Sequence, residues 1–141
     1  MQRQIILDGV FRPEQEKSYI DLPFDMPAGA VRLDVSYSYS SQISSDPLIS
    51  GGNTVDLGVF DQRGVGFLRA GFRGSSGSER HSFFITESAA TPGYLAGPLL
   101  PGRWHVNLGL YKIMPDGCAY RVTLRSLPSA GTSPRAACRR R

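Results

Sequence analysis

The stretch "LLPGRWHVNLGLYKIMPDGCAYRVTLRSL", Leu99–Leu127, decides the reading of the fold. It opens on a Pro101-Gly102 turn and passes into an alternating run around Trp104. It turns again at Pro115-Asp116-Gly117 and alternates a second time through Tyr120, Val122 and Leu124. A period of two over such lengths places one set of side chains on a buried face and the other in solvent, which is the pattern of a half-buried strand. Two such runs around a Pro/Gly turn predict a closing β-hairpin, with strands over 102–113 and 119–127.

Upstream segments repeat the pattern. "AVRLDVSYSYS" (30–40) sets Val31, Leu33, Val35, Tyr37 and Tyr39 against Arg32, Asp34, Ser36 and Ser38. "NTVDLGVFD" (53–61) places Val55, Leu57 and Val59 on one face and reads as an inner strand, with Gly58 where something packs close. "HSFFIT" (81–86), "QIILDGVF" (4–11) and "KSYIDLPF" (17–24) add three more. Seven or so short strands separated by Gly/Pro/Ser turns predict an all-β protein: an antiparallel two-layer β-sandwich, jelly-roll-like. The expected core comprises Val31, Leu33, Val35, Leu57, Trp104, Val106, Leu108, Tyr120, Val122 and Leu124.

No window sustains apolar residues at helical spacing. At most, "FITESAATPGYLAG" carries one short helical turn, capped by Thr86 and stopped by Pro92-Gly93. Two segments read as loops, 39–53 and 61–80. The second, "DQRGVGFLRAGFRGSSGSER", is rich in glycine and arginine and long for a hairpin, so it is either functional or folded on itself. Residues 1–127 form one domain in this reading. Residues 128–141, "PSAGTSPRAACRRR", form a disordered basic tail, because their composition offers nothing to bury.

Charge narrows the function. The net charge is +4, yet the excess sits in Arg135, Arg139, Arg140 and Arg141, and the body is neutral. A nucleic-acid module carries its basic residues as a patch on the folded body, so no nucleic-acid partner is expected. No apolar run reaches the ~20 residues that span a bilayer, so no membrane partner is expected either. The N-terminus lacks the apolar core of a signal peptide. Two cysteines, Cys118 and Cys138, make no disulfide framework. A cytoplasmic location is the expectation.

The chemistry-bearing residues are sparse. His81 and His105 belong to no metal-ligand spacing, and His105, alternating with a core-facing Trp104, faces solvent or a neighbouring strand. Asp46, Asp56 and Asp61 offer oxygens for a Ca²⁺ ion, or cap turns. Ser78 precedes His81 by three positions without a strand-elbow-helix context for a nucleophile. Cys118 beside a turn glycine reads as a small buried residue. Arg69, Arg73 and Arg80 either clamp an anion or pair with Asp61, Glu79 and Glu87, or dock on a neighbouring domain. Aromatics on every strand serve the core more economically than a sugar-binding face. No catalytic residue, metal site or cofactor is expected in the chain itself.

In order along the chain, "FDMPAGAVRLDVSYSY", "NTVDLGVFDQRG", "GFRGSSGSER", "FFITESAATPGYLAGPLLPGRWHVNLGLYKI" and "YRVTLRSL" resemble the N-terminal β-domain of PHP-type metal-dependent phosphoesterases of the CehA/McbA kind. The resemblance spans roughly residues 4 to 127. It implies a following PHP catalytic domain that binds a metal cluster through a "GDLHxHT"-like motif and hydrolyses phosphoester or related bonds with a metal-activated water. That motif does not occur here, so no catalytic residue carries over. The resemblance implies a non-catalytic accessory domain, truncated or stand-alone, whose partner is a PHP-type catalytic domain. The alternative is a stand-alone β-sandwich that binds carbohydrate or Ca²⁺. Within the 61–80 loop, Arg69, Phe72 and Arg73 are the candidate interface, since arginine and aromatic residues are enriched at interface cores.

Overall fold

The computed structural model describes residues 2–128. Eight strands follow in order: β1 (Arg3–Phe11), β2 (Tyr19–Met26), β3 (Ala30–Tyr39), β4 (Thr54–Phe60), β5 (Phe72–Gly77), β6 (Ser82–Thr86), β7 (Gly102–Lys112) and β8 (Cys118–Pro128). A single 3₁₀ turn, Pro13–Gln15, lies between β1 and β2. The strands form two antiparallel four-stranded sheets, ordered β1-β8-β3-β6 and β2-β7-β4-β5. That order is a jelly roll, in which the chain passes from sheet to sheet at almost every connection.

The alternation predicted from sequence fills the space between the sheets. Leu33, Val35, Leu57, Trp104, Val106, Leu108, Val122 and Leu124 are all buried. Phe24, Met26, Val55, Val59, Phe83, Ile85 and Leu110 join them. Tyr37 crosses the core from β3, and its hydroxyl donates to the Val55 carbonyl of the opposite sheet at 2.6 Å.

Several expectations are corrected. First, the closing hairpin does not exist: β7 pairs with β2 and β4, whereas β8 pairs with β1 and β3. The Pro115-Asp116-Gly117 turn carries the chain across the sandwich, and alternation alone cannot tell a hairpin turn from a crossover. Second, the 61–80 loop contains β5, which forms with β4 the only hairpin between successive strands among the described residues. Third, Val31 is 44% exposed, because the β3–β8 register slips between Ala30 and Arg32 and the extra residue points away from the core. Tyr120, also expected inside, is half-buried and stacks on Phe11 with ring centroids 4.1 Å apart. Fourth, Thr86 caps no helix. It closes a turn with Ala89, whose N–H donates to Oγ1 at 3.0 Å. Pro128, placed in the tail by sequence, is the last residue of β8 opposite Ala30. The rest of the basic tail lies outside the described residues.

The strand pairings give the sandwich two distinct ends. Met26 faces Gly102, Ala30 faces Pro128, Arg3 faces Ser126 and Arg32 faces Thr86. The β2–β3, β4–β5 and β6–β7 loops therefore share one end with both ends of the described chain. The β1–β2, β3–β4, β5–β6 and β7–β8 loops share the other. Two side chains tie that second end together. Asn53, fully buried, donates to the carbonyls of Ser40 and Gly117 and accepts from the Met114 N–H. The Lys112 ammonium donates to three main-chain carbonyls of the β3–β4 loop, Ser44, Asp46 and Ile49, at 2.5–2.8 Å. This cage supplies the loop with an internal cation. Lys112→Met is expected to lower stability by about 1 kcal/mol. Amide exchange should accelerate selectively over residues 43–50, as read by mass spectrometry.

Candidate functional site

The residues singled out in the 61–80 segment separate into buried and exposed. Arg69 is exposed and Phe72 is half-buried, but Arg73 is only 4% exposed. In strand β5, Phe72 and Arg73 must point to opposite faces. Phe72 lies on the outer face opposite Phe60. Arg73 points inward and is not available as a surface contact.

The Arg73 guanidinium is partnered from within, through four of its five N–H donors. It donates to the carbonyls of Leu95 (3.2 Å), Gly97 (3.1 Å) and Pro98 (3.2 Å), and to the Asp61 carboxylate at 3.3 Å. It also sits 5.3 Å above the Trp104 ring. Asp61 is buried too and accepts a second arginine, Arg63, at 2.8 Å, along with the Arg63 N–H at 2.9 Å. Burial raises the Asp61 carboxyl, but the donors of Arg63 and Arg73 outweigh it and hold the group below its ordinary value. This hub joins the β4–β5 loop to the β6–β7 loop at the end where both ends of the described chain lie.

A groove of about 340 Å³ opens beside the hub, lined by Ala70, Phe72, Leu95, Ala96 and Leu100 among others. Leu95 and Leu100 are exposed along it. The β4–β5 loop meanwhile folds over the outer face of its sheet. Phe67 packs on Phe60, Phe72 and Tyr19 with centroids 5.1–5.7 Å apart. The loop is thus folded on itself and still presents an apolar rim.

The remaining candidates are dispersed. No group of three metal-ligating side chains occurs among the described residues. Asp46 caps a turn, accepting from the Leu48 N–H at 2.9 Å, and Asp61 is committed to arginines. His81 is exposed and edges onto Tyr37 at 6.1 Å. His105 lies half-buried on the outer face between Pro23 and Phe60, with Nδ1 buried and unpartnered. Cys118 is fully buried, and desolvation pushes its thiol up to about 11, so it stays protonated at neutral pH. No helix among the described residues is long and apolar enough to cross a membrane.

A second concavity lies at the opposite end, on the outer face of the β2-β7-β4-β5 sheet. A small hollow of about 120 Å³ is bounded by Lys17, Tyr19, Asp56, Gly109 and Tyr111. It continues past Asp56 and Tyr111 into an open cleft of about 730 Å³ lined by Ser45, Ser75, Ser78, Glu79 and Arg80. Sequence reasoning offered Asp56 to a Ca²⁺ ion or to turn capping. It instead faces outward in mid-strand opposite Gly109, and only the strand pairing brings Tyr19 beside it.

No protein-family model matches this chain, and no curated protein matches it.

Proposed function

We propose that this chain is a non-catalytic jelly-roll module that docks on a PHP-type metal-dependent phosphoesterase domain through the loops around Arg73. One observation supports this most directly. The segments carrying the resemblance, "FDQRG", "GFRG" and "PGYLAGPLLPGRW", are spread over residues 60–104, yet all supply partners to the Arg73–Asp61 hub. A shared buried hub beneath a groove whose rim carries Leu95 and Leu100 fits a rigid mount for a partner better than it fits an active site. Arg69 and Phe72 belong to its outer surface, and Arg73 holds that surface in shape from below. A catalytic domain joined after Pro128 would leave from this same end. The metal ligands and the hydrolysis would belong to that domain. The one free cysteine among the described residues, Cys118, is buried and accords with a cytoplasmic setting.

The test is calorimetric titration of this chain with a PHP-type catalytic domain supplied in trans. Binding is expected. Arg69→Glu combined with Leu95→Asp, both at exposed positions, should weaken it at least tenfold while leaving the thermal midpoint unchanged. No heat of binding, or an undiminished affinity in the double variant, would remove this surface as the docking site.

A further inference from the structure

We propose that the cleft between Tyr19, Asp56 and Tyr111 is a carbohydrate-binding site, with one sugar ring in the inner hollow and the chain continuing along the serine-lined wall. The proposal does not rest on the docking reading, although Phe67 of the β4–β5 loop reaches over the outer face to Tyr19, with ring centroids 5.1 Å apart.

Four observations carry it. Asp56 is half-buried at the floor of the cleft and takes no hydrogen bond and no ion pair from the described side chains. Burial pushes its carboxyl up. A strand-held carboxylate with both oxygens uncommitted suits a pair of neighbouring sugar hydroxyls, which donate two hydrogen bonds to one acceptor group. Tyr19, beside it, is 60% exposed. Its ring is seated by a glycine: a Cβ at Gly109 would lie 3.0 Å from Tyr19 Cε1 and 3.3 Å from the Asp56 Cβ. Any larger residue would push the ring aside and fill the hollow. Tyr111 is the extra residue of a β-bulge, since Val55 faces Leu110 while Thr54 faces Lys112. Bulges re-aim a side chain, and this one sets an aromatic on the rim. Lys17 covers one of its faces, 4.0 Å from the ring centroid.

The chemistry of the walls selects the ligand class. Two cations, Lys17 and Arg80, balance two anions, Asp56 and Glu79. That balance favours a neutral ligand over a polyanion or a polycation. Ser45, Ser75 and Ser78 line the open cleft. Hydroxyl-rich walls with tyrosines at one end match a ligand that is polar at its edges and apolar on its ring faces, as a pyranose is. The inner hollow, about 120 Å³, opens directly into the wider cleft, so a ring seated at its mouth continues along the wall.

The probes are soluble neutral polysaccharides (xylan, galactomannan, mixed-linkage β-glucan and dextran), with polygalacturonate as the acidic control, in native affinity electrophoresis of the full chain. At least one neutral polysaccharide should retard the protein. Asp56→Asn should weaken that interaction at least tenfold without lowering the thermal midpoint, because it removes an unpaired carboxylate from a half-buried position. Tyr19→Ala and Gly109→Ala should weaken it similarly. No retardation by any neutral probe, retardation by polygalacturonate alone, or equal retardation of wild type and the Asp56 variant would each overturn the proposal.

Discussion

Arg73→Met is expected to destabilise the fold by about 3–5 kcal/mol, the range for breaking a buried ion pair by removing one partner. The methionine fills much of the same volume, so the loss is electrostatic rather than a cavity. Three carbonyls of the β6–β7 loop lose their donor, and the buried Asp61 keeps only Arg63, whose side chain is half exposed. The effect depends on pH with a definite sign. In the wild type the Asp61 carboxyl lies below its unfolded value, so its contribution is present above the unfolded pKa of about 3.9 and is lost as pH falls through the folded value. The variant relieves part of that depression. The gap between variant and wild type should therefore narrow below about pH 4, as read by urea denaturation at several pH values. A gap below 1 kcal/mol at neutral pH would show that the carbonyls find other donors.

Trp104→Ala is expected to cost about 3–5 kcal/mol. The indole is fully buried on the inner strand β7, and its Nε1–H donates to the Leu100 carbonyl at 2.9 Å. It packs near Phe24 and beneath the Arg73 guanidinium. The substitution leaves a large cavity, an orphaned carbonyl and an arginine without its aromatic floor. The two substitutions share a contact, so their effects should not add. The double variant is expected to fall short of the sum by at least 0.5 kcal/mol, measured by the same denaturation series.

Seven of the eight strands were legible because alternation is a local signal, and each of them has apolar residues on one face. The eighth, β5, reads "FRGSSG", a sequence of low strand propensity whose two register shifts against β4 erase the period. Its place is fixed from outside: Gly74, at φ +127°, lets the backbone of Gly93 and Tyr94 approach closely, and Arg73 ties down the β6–β7 loop. Such contacts are long-range and leave no mark in the local pattern. The same limit hid the crossover between β7 and β8. For the sites, residue type was informative and position was not. Arg73 was read as an interface arginine because its parity within an unrecognised strand was unknown. Asp56 was visible as an acid, but Tyr19 lies 37 positions away and joins it only through β7.

On a ribosome, β1 and β3 emerge long before the strand that joins them. β8 fills the slot between them, and β7 fills the corresponding slot between β2 and β4. Until β7 and β8 emerge the nascent chain therefore holds two incomplete sheets, each with strand edges facing a gap the width of one strand. Unpaired edges of this kind recruit other chains. Two features shorten their reach before closure: Pro23 lacks an N–H and interrupts the donor row of β2, and the charged side chains Asp8, Arg32 and Asp34 sit on the strands that flank the first gap. The final strands thus act as wedges that lock two open halves, and the protein's exposure to aggregation is set by how quickly they arrive.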